Sequence, residues 1–155
     1  MEGIEAVLHD VPLFRGLTAA EFELIAGCGS NVRFREGELL FRDGDPADRF
    51  YVVRHGSVAL ETFVPTRGPV TIETLEAGEV VGWSWLFPPH RWHFDARALS
   101  LVRATGFDGA CLRGKCEADP RLGYDLMSRF AQIVIERLQQ TRLRLLDVYG
   151  YAGTD

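Results

Sequence analysis

No stretch of this sequence approaches the roughly 20 consecutive apolar residues that a membrane-spanning helix needs, so no membrane partner is expected. Positive charge is not in excess either. The 17 Lys and Arg against 22 Asp and Glu leave a net charge of -5, which gives no general attraction to a polyanion such as nucleic acid. Cysteine is scarce: Cys28, Cys111 and Cys116 are an odd three in 155 residues. That count points to reduced thiols and a cytoplasmic location. The opening, MEGIEAVLHDVPLF, carries acids where a secretory signal has a basic segment. Catalytic signatures are missing as well, with no G-x-S-x-G elbow, no phosphate-cradling P-loop and no H-E-x-x-H. The chain is therefore not expected to be an enzyme.

What remains is ordinary globular composition, 46% hydrophobic and 25% charged, enough for one domain with a real core spanning residues 1–155. Within it three segments differ in pattern. Residues 1–29 read as helical: Thr18 and Glu21 have the spacing of a capping box, and Gly27 and Gly29 end the apolar face. Residues 30–110 carry short apolar or alternating runs separated by glycine turns, as in Leu39–Phe41, Phe50–Val53, Val58–Val64 and Val70–Leu75. A further strand pair is expected near Ala96–Ala104 and Thr105–Asp108. Strands of about five residues at this spacing predict an antiparallel sandwich or barrel. GACLRGKCEAD reads as a loop before the last segment.

Residues 117–149 return to helix, with Asp119 as cap and Pro120 in the first turn. Met127, Ala131, Val134, Leu138, Thr141, Leu145 and Val148 alternate in steps of four and three, which is a coiled-coil seam. Leu126, Phe130 and Ile133 form a second stripe, which is expected to pack the helix onto the strands. The seam is left for a partner helix, and a homodimer is expected. Arg129, Arg137, Arg142 and Arg144 read as a solvated helix face rather than a nucleic-acid surface.

LFRGLTAAEFELIA, REGELLFRDGDPADRFYVVRHGSVAL, LEAGEVVGW and the helical RLQQT together resemble the cyclic-nucleotide-binding domain of the Crp/Fnr regulator superfamily, over residues 13 to about 149. The resemblance implies a mainly β fold with flanking helices: a double-stranded β-helix, or jelly-roll-like β-roll, with an N-terminal helix and a long C-terminal dimerisation helix. It also implies a regulatory role and a cyclic nucleotide (cyclic AMP or cyclic GMP) as ligand. No helix-turn-helix follows the helix before Asp155, so direct DNA binding is not expected and the module would signal in trans to an unidentified protein partner.

In that family a short loop after a glycine cradles the cyclic phosphate, with a glutamate for the ribose and an arginine for the phosphate. Here Gly82 is present, but Trp83 stands in the glutamate's place. Aligning Ala96–Leu99 with the strand that follows puts Trp92 on the arginine and Asp95 on the serine or threonine; Arg91 is one residue away. An aspartate beside a phosphate is repulsive. Thr141 matches the family's threonine that is presented to the purine, and it also falls on the seam. The ligand-binding candidates are Gly82, Trp83, Ser84, Trp85, Arg91, Trp92, Asp95 and Thr141.

All three tryptophans lie within Trp83–Trp92. They can stack a planar small-molecule ligand or a cation, or they can plug the space a ligand would use. The second case makes the chain a ligand-free interaction subunit of a larger assembly, a redox assembly being one option. His90 and His93 allow a third reading, a haem or metal sensor, though two histidines without a third ligand read more simply as solvated or core residues. Cys111 and Cys116 fit neither zinc nor C-x-x-C spacing; free structural thiols are expected, with redox sensing as the alternative.

Overall fold

The computed structural model describes residues 8, 9 and 11–152, with side chains as far as 147. The beginning of the expected helical segment 1–29 and the seam position Val148 therefore lie outside the described side chains. A 3-10 turn, Pro12–Phe14, leads into α1 (Ala19–Ala26). Thr18 Oγ1 accepts from the Glu21 amide at 3.1 Å and Glu21 Oε1 accepts from the Thr18 amide at 3.0 Å, the reciprocal capping box.

Eight strands follow: β1 (Gly29–Phe34), β2 (Leu39–Phe41), β3 (Arg49–His55), β4 (Val58–Val64), β5 (Gly68–Leu75), β6 (Val80–Val81), β7 (Asp95–Ala98) and β8 (Val102–Asp108). They form two four-stranded antiparallel sheets, ordered β1-β8-β3-β6 and β2-β7-β4-β5. The expected last strand pair divides differently, because residues 99–101 make a turn at which the Leu101 carbonyl lies under Gly56. A Cβ on Gly56 would sit 2.3 Å from that oxygen, and its φ of +89° is one that glycine adopts at little cost.

Away from its β1 edge the first sheet is buried on both faces, and the two-residue period of β3 explains how. Tyr51 and Val53 point into the core between the sheets, with Leu40, Phe41, Val58 and Leu60. Phe50 and Val52 point the other way, into a second core with Phe14, Ile25, Leu112 and Phe130. The molecule is thus three layers: sheet, sheet and helices.

After β8 the chain forms α2 (Gly109–Ala118) and α3 (Pro120–Ala152). The GACLRGKCEAD segment is therefore a helix and not the expected loop. Asp108 caps it by accepting from the Cys111 amide at 3.0 Å, and Leu112 gives it one fully buried side chain. Cys28 and Cys111 form a disulfide that joins the end of α1 to the first turn of α2, and Cys116 alone is a free thiol. This corrects the expectation of three free thiols. The odd count leaves one cysteine over but does not prevent the other two from meeting in the fold, and the argument from cysteine to compartment loses its premise.

Asp119 Oδ1 accepts from the Leu122 amide at 3.3 Å, which starts α3 where Pro120 predicts. At 33 residues the helix is about 50 Å long. Leu122, Leu126 and Phe130 are fully buried on the helical core, and Ile133 packs against it. Three of the four arginines correct the reading of a solvated face, while Arg142 is exposed as expected. Arg129 donates to the carbonyls of Leu13 (2.7 Å) and Arg15 (2.6 Å), Arg137 to Val80 and Arg144 to Ile72. Positions 137 and 144 are two turns apart on one face. They reach β6 and β5, one edge strand of each sheet, and so cover backbone that would otherwise be open to another chain.

Candidate functional site

The Gly82–Asp95 loop spans from the end of β6 to the start of β7 and contains most of the candidate residues. Gly82 has φ +97°, and a Cβ there would lie 2.4 Å from Cη2 of the Trp92 ring. The position is glycine for two independent reasons, backbone conformation and close approach. Trp92 is 3% exposed and stacks on Phe41 with ring centroids 3.8 Å apart and planes at 9°. Its backbone zips to the β2–β3 turn: the Trp92 amide donates to Asp45 and the Gly44 amide donates to Trp92.

The three tryptophans go to three places. Trp92 fills the core between the sheets. Trp85 is fully buried in the helical core, stacked on Phe50 at 4.8 Å and edge-on to Phe130 at 5.2 Å, with its carbonyl accepting from Arg113. Trp83 stays half-buried between the loop and α3. The Arg137 guanidinium lies 5.0 Å over its ring, a cation–π contact, and Phe94 meets it edge-on at 5.9 Å.

Arg91 is exposed and donates to the Gly44 carbonyl at 2.8 Å, forming a bridge with Pro46. Asp95 Oδ1 accepts from the Asp43 amide at 2.7 Å, so the carboxylate is spent on capping a turn 52 residues away. Arg97 pairs with Glu61 at 2.9 Å and donates to the Gly37 carbonyl. Thr141 is exposed and its hydroxyl donates back to the Arg137 carbonyl one turn earlier. Gly82 and Trp92 are thus brought into contact and Trp83 and Ser84 face a common cavity. Arg91, Asp95 and Thr141 are engaged elsewhere.

Sequence reasoning missed Arg137 as a site residue. Its side chain is 11% exposed and lies 3.8 Å from the Glu73 carboxylate. Burial lowers its pKa from the ordinary guanidinium value, while Glu73, Glu79 and Glu136 push it back up. The signal available was position: in RLQQT it sits four residues before Thr141, on the stripe of Phe130 and Ile133 rather than on the seam.

Between this loop and α3 lies a cavity of about 420 Å³. Trp83, Phe87 and Pro88 wall it on the loop side, and Ala131, Val134 and Ile135 on the helix side. Ser84 and His93 are its polar lining residues. Among the described residues, no three His, Cys, Asp or Glu cluster where they could hold a metal ion.

The family model for the cyclic nucleotide-binding domain matches residues 31–119. A CRP-like cAMP-activated global transcriptional regulator of Mycobacterium tuberculosis is 22% identical over 145 residues, 94% of this chain and 63% of that protein. The chain therefore spans less than two thirds of that relative's length. Among crystal structures, a candidate cyclic nucleotide-binding protein of Geobacter metallireducens GS-15 superposes with a TM-score of 0.79 at 28% identity, covering 89% of this chain and 99% of that one. The regulatory domain of Toxoplasma gondii PKA, crystallised with cAMP, matches with a TM-score of 0.70 at 20% identity over 85% of this chain and 48% of that one, a likeness of fold. The glycine turns, the two sheets and the long helix are accounted for together: this chain belongs to the cyclic nucleotide-binding domain family.

Proposed function

We propose that this chain is a non-enzymatic regulatory module of its family whose roll is closed by its own tryptophan. In this reading its signal passes through α3 to a second copy and then, in trans, to a partner protein. The observation that carries the reading is the Trp92 ring lying over Gly82 and stacked on Phe41. Admitting a nucleotide beside Gly82 means evicting that ring, and losing a buried tryptophan's packing costs about 3–5 kcal/mol. The charges that a cyclic phosphate needs are also committed. Arg91 and Arg97 hold backbone carbonyls of the turns, and Arg137 holds Val80 and Glu73.

Output through α3 is supported by the seam. Met127, Leu138 and Leu145 are 41%, 65% and 54% exposed, an apolar stripe at heptad spacing that a second helix would bury. Population shift between seam arrangements then links roll and partner. The same closed roll and exposed stripe also favour the second reading, a ligand-free interaction subunit.

Calorimetric titration with cyclic AMP, cyclic GMP and cyclic dinucleotides tests the closed roll. No heat is expected with any of them. A dissociation constant tighter than about 100 μM for any of them overturns the reading.

A further inference from the structure

We propose that the cavity between the Trp83–Pro88 loop and α3 is a binding site for an uncharged, planar ring compound carrying one hydrogen-bonding group. The inference rests on the closed roll, because it moves the ligand from inside the roll to its side. The volume, about 420 Å³, falls in the range of small-molecule pockets. The walls are aromatic on one side, Trp83 and Phe87, and aliphatic on the other, Ala131 and Val134. This geometry suits a flat ring lying between a π face and a helix. No Lys, Arg, Asp or Glu is among the lining residues, and Arg137, whose guanidinium lies over the Trp83 ring, is already paired with Val80 and Glu73, so a charged ligand would be desolvated without a free partner.

Ser84 supplies the second observation. The residue is 6% exposed, lines the cavity, and its hydroxyl has no hydrogen-bond partner among the described residues. Ser84 Oγ is not among the buried unpaired atoms, so it is open to the cavity and can pair with the ligand's polar group in place of solvent. Two of the helix residues in the wall, Ala131 and Val134, belong to the seam. A ligand seated here touches the dimerising face directly, and occupancy alters what a second copy meets.

The test uses two probes with the same rings. N-phenyl-1-naphthylamine is neutral; 1-anilinonaphthalene-8-sulfonate adds one negative charge. The neutral probe is expected to bind saturably at one site per chain, and the sulfonate at least about tenfold more weakly. Ala131→Phe and Val134→Phe each fill the cavity from a half-buried helix face. Each is expected to weaken the neutral probe by about tenfold or more with an unchanged melting temperature; if one fails to fold, the other decides. Ser84→Ala is expected to weaken it about fivefold.

Equal affinity for the two probes, or undiminished binding in the folded filling variants, overturns the proposal. So does an affinity that falls as protein concentration drives dimerisation, since a second copy is then the occupant. Nucleotide titration of the same samples separates this failure from that of the closed roll. Probe failure without nucleotide heat removes only the side pocket, whereas cyclic-nucleotide heat removes the closed roll itself.

Discussion

Two residues in contact, Gly82 and Trp92, decide what the roll can hold. Replacing Trp92 with alanine leaves a cavity beside Phe41 and is expected to cost about 4 kcal/mol. Gly82→Ala is expected to cost at least about 2 kcal/mol, from a non-glycine residue at φ +97° and a Cβ 2.4 Å from a packed ring. Urea denaturation measures both, and a Gly82→Ala variant as stable as the wild type would show that the ring yields easily. The double variant is informative: without the ring only the backbone strain remains, so its cost should fall short of the sum. The glycine's place was legible from turn spacing, and the resemblance to the family set Trp83 where that family has glutamate. The destinations of the three tryptophans were not. The loop has no period from which a facing direction can be read, and Trp83, Trp85 and Trp92 are sorted by partners far away in sequence, Arg137, Phe50 and Phe41. Asp95 is the same case: nothing local to the loop shows that its carboxylate accepts from the Asp43 amide, 52 residues away.

At the scale of elements, α3 works as a strap across two sheet edges. Its stripe Leu126, Phe130 and Ile133 packs as its period predicts, and the capping box and the Asp119-Pro120 start lie where the local chemistry puts them. Two elements were not legible. β6 is two residues long, too short to show alternation. Glycines at 109 and 114 and few apolar residues hide α2, which the Asp108 cap and tertiary packing hold as a helix. The arginines were misread because charge on a helix usually faces water, and their acceptors, the Val80 and Ile72 carbonyls, belong to strands 57 and 72 residues away. Arg137→Ala is expected to cost about 2 kcal/mol, the worth of a charged hydrogen bond to a buried carbonyl, and to leave Glu73 without its cation. Adding Arg144→Ala should release the helix beyond about residue 137, read as faster amide exchange in β5 and β6 and as proteolytic nicking between 138 and 147. If amide exchange in those strands is unchanged, α3 is not what covers their edges.

Over the whole molecule, the helical layer is assembled from opposite ends of the chain: α1 comes before the first strand, and α2 and α3 come after the last. The β1–β8 register sets Gly29 opposite Phe107 and so brings the end of α1 beside the start of α2, and the shared core and specific ties hold the helices there. Lys115 Nζ donates to the Leu24 carbonyl at 2.6 Å, and Cys28–Cys111 closes a loop with a sequence separation of 83. A cross-link of that span restricts the unfolded chain strongly, by about 4 kcal/mol in the chain-entropy account. Reduction, or Cys28→Ser, is therefore expected to lower the unfolding free energy by up to that amount, measured by urea denaturation with and without dithiothreitol. The reduced protein should keep its fold, because Ile25, Phe107 and Leu112 remain buried around the pair. Cys116 provides the control. Burial, followed by the Asp119 and Glu117 charges, pushes its thiol pKa above the ordinary value, which keeps it protonated and slow to be alkylated near neutral pH. Mass spectrometry after alkylation should then find Cys28 and Cys111 protected until reductant is added, and Cys116→Ser should leave stability unchanged under both conditions. If dithiothreitol shifts neither the urea midpoint nor the alkylation pattern, the two sulfurs lie close without bonding, and the helical layer is held by its core and by the hydrogen bonds of Lys115 and Arg129.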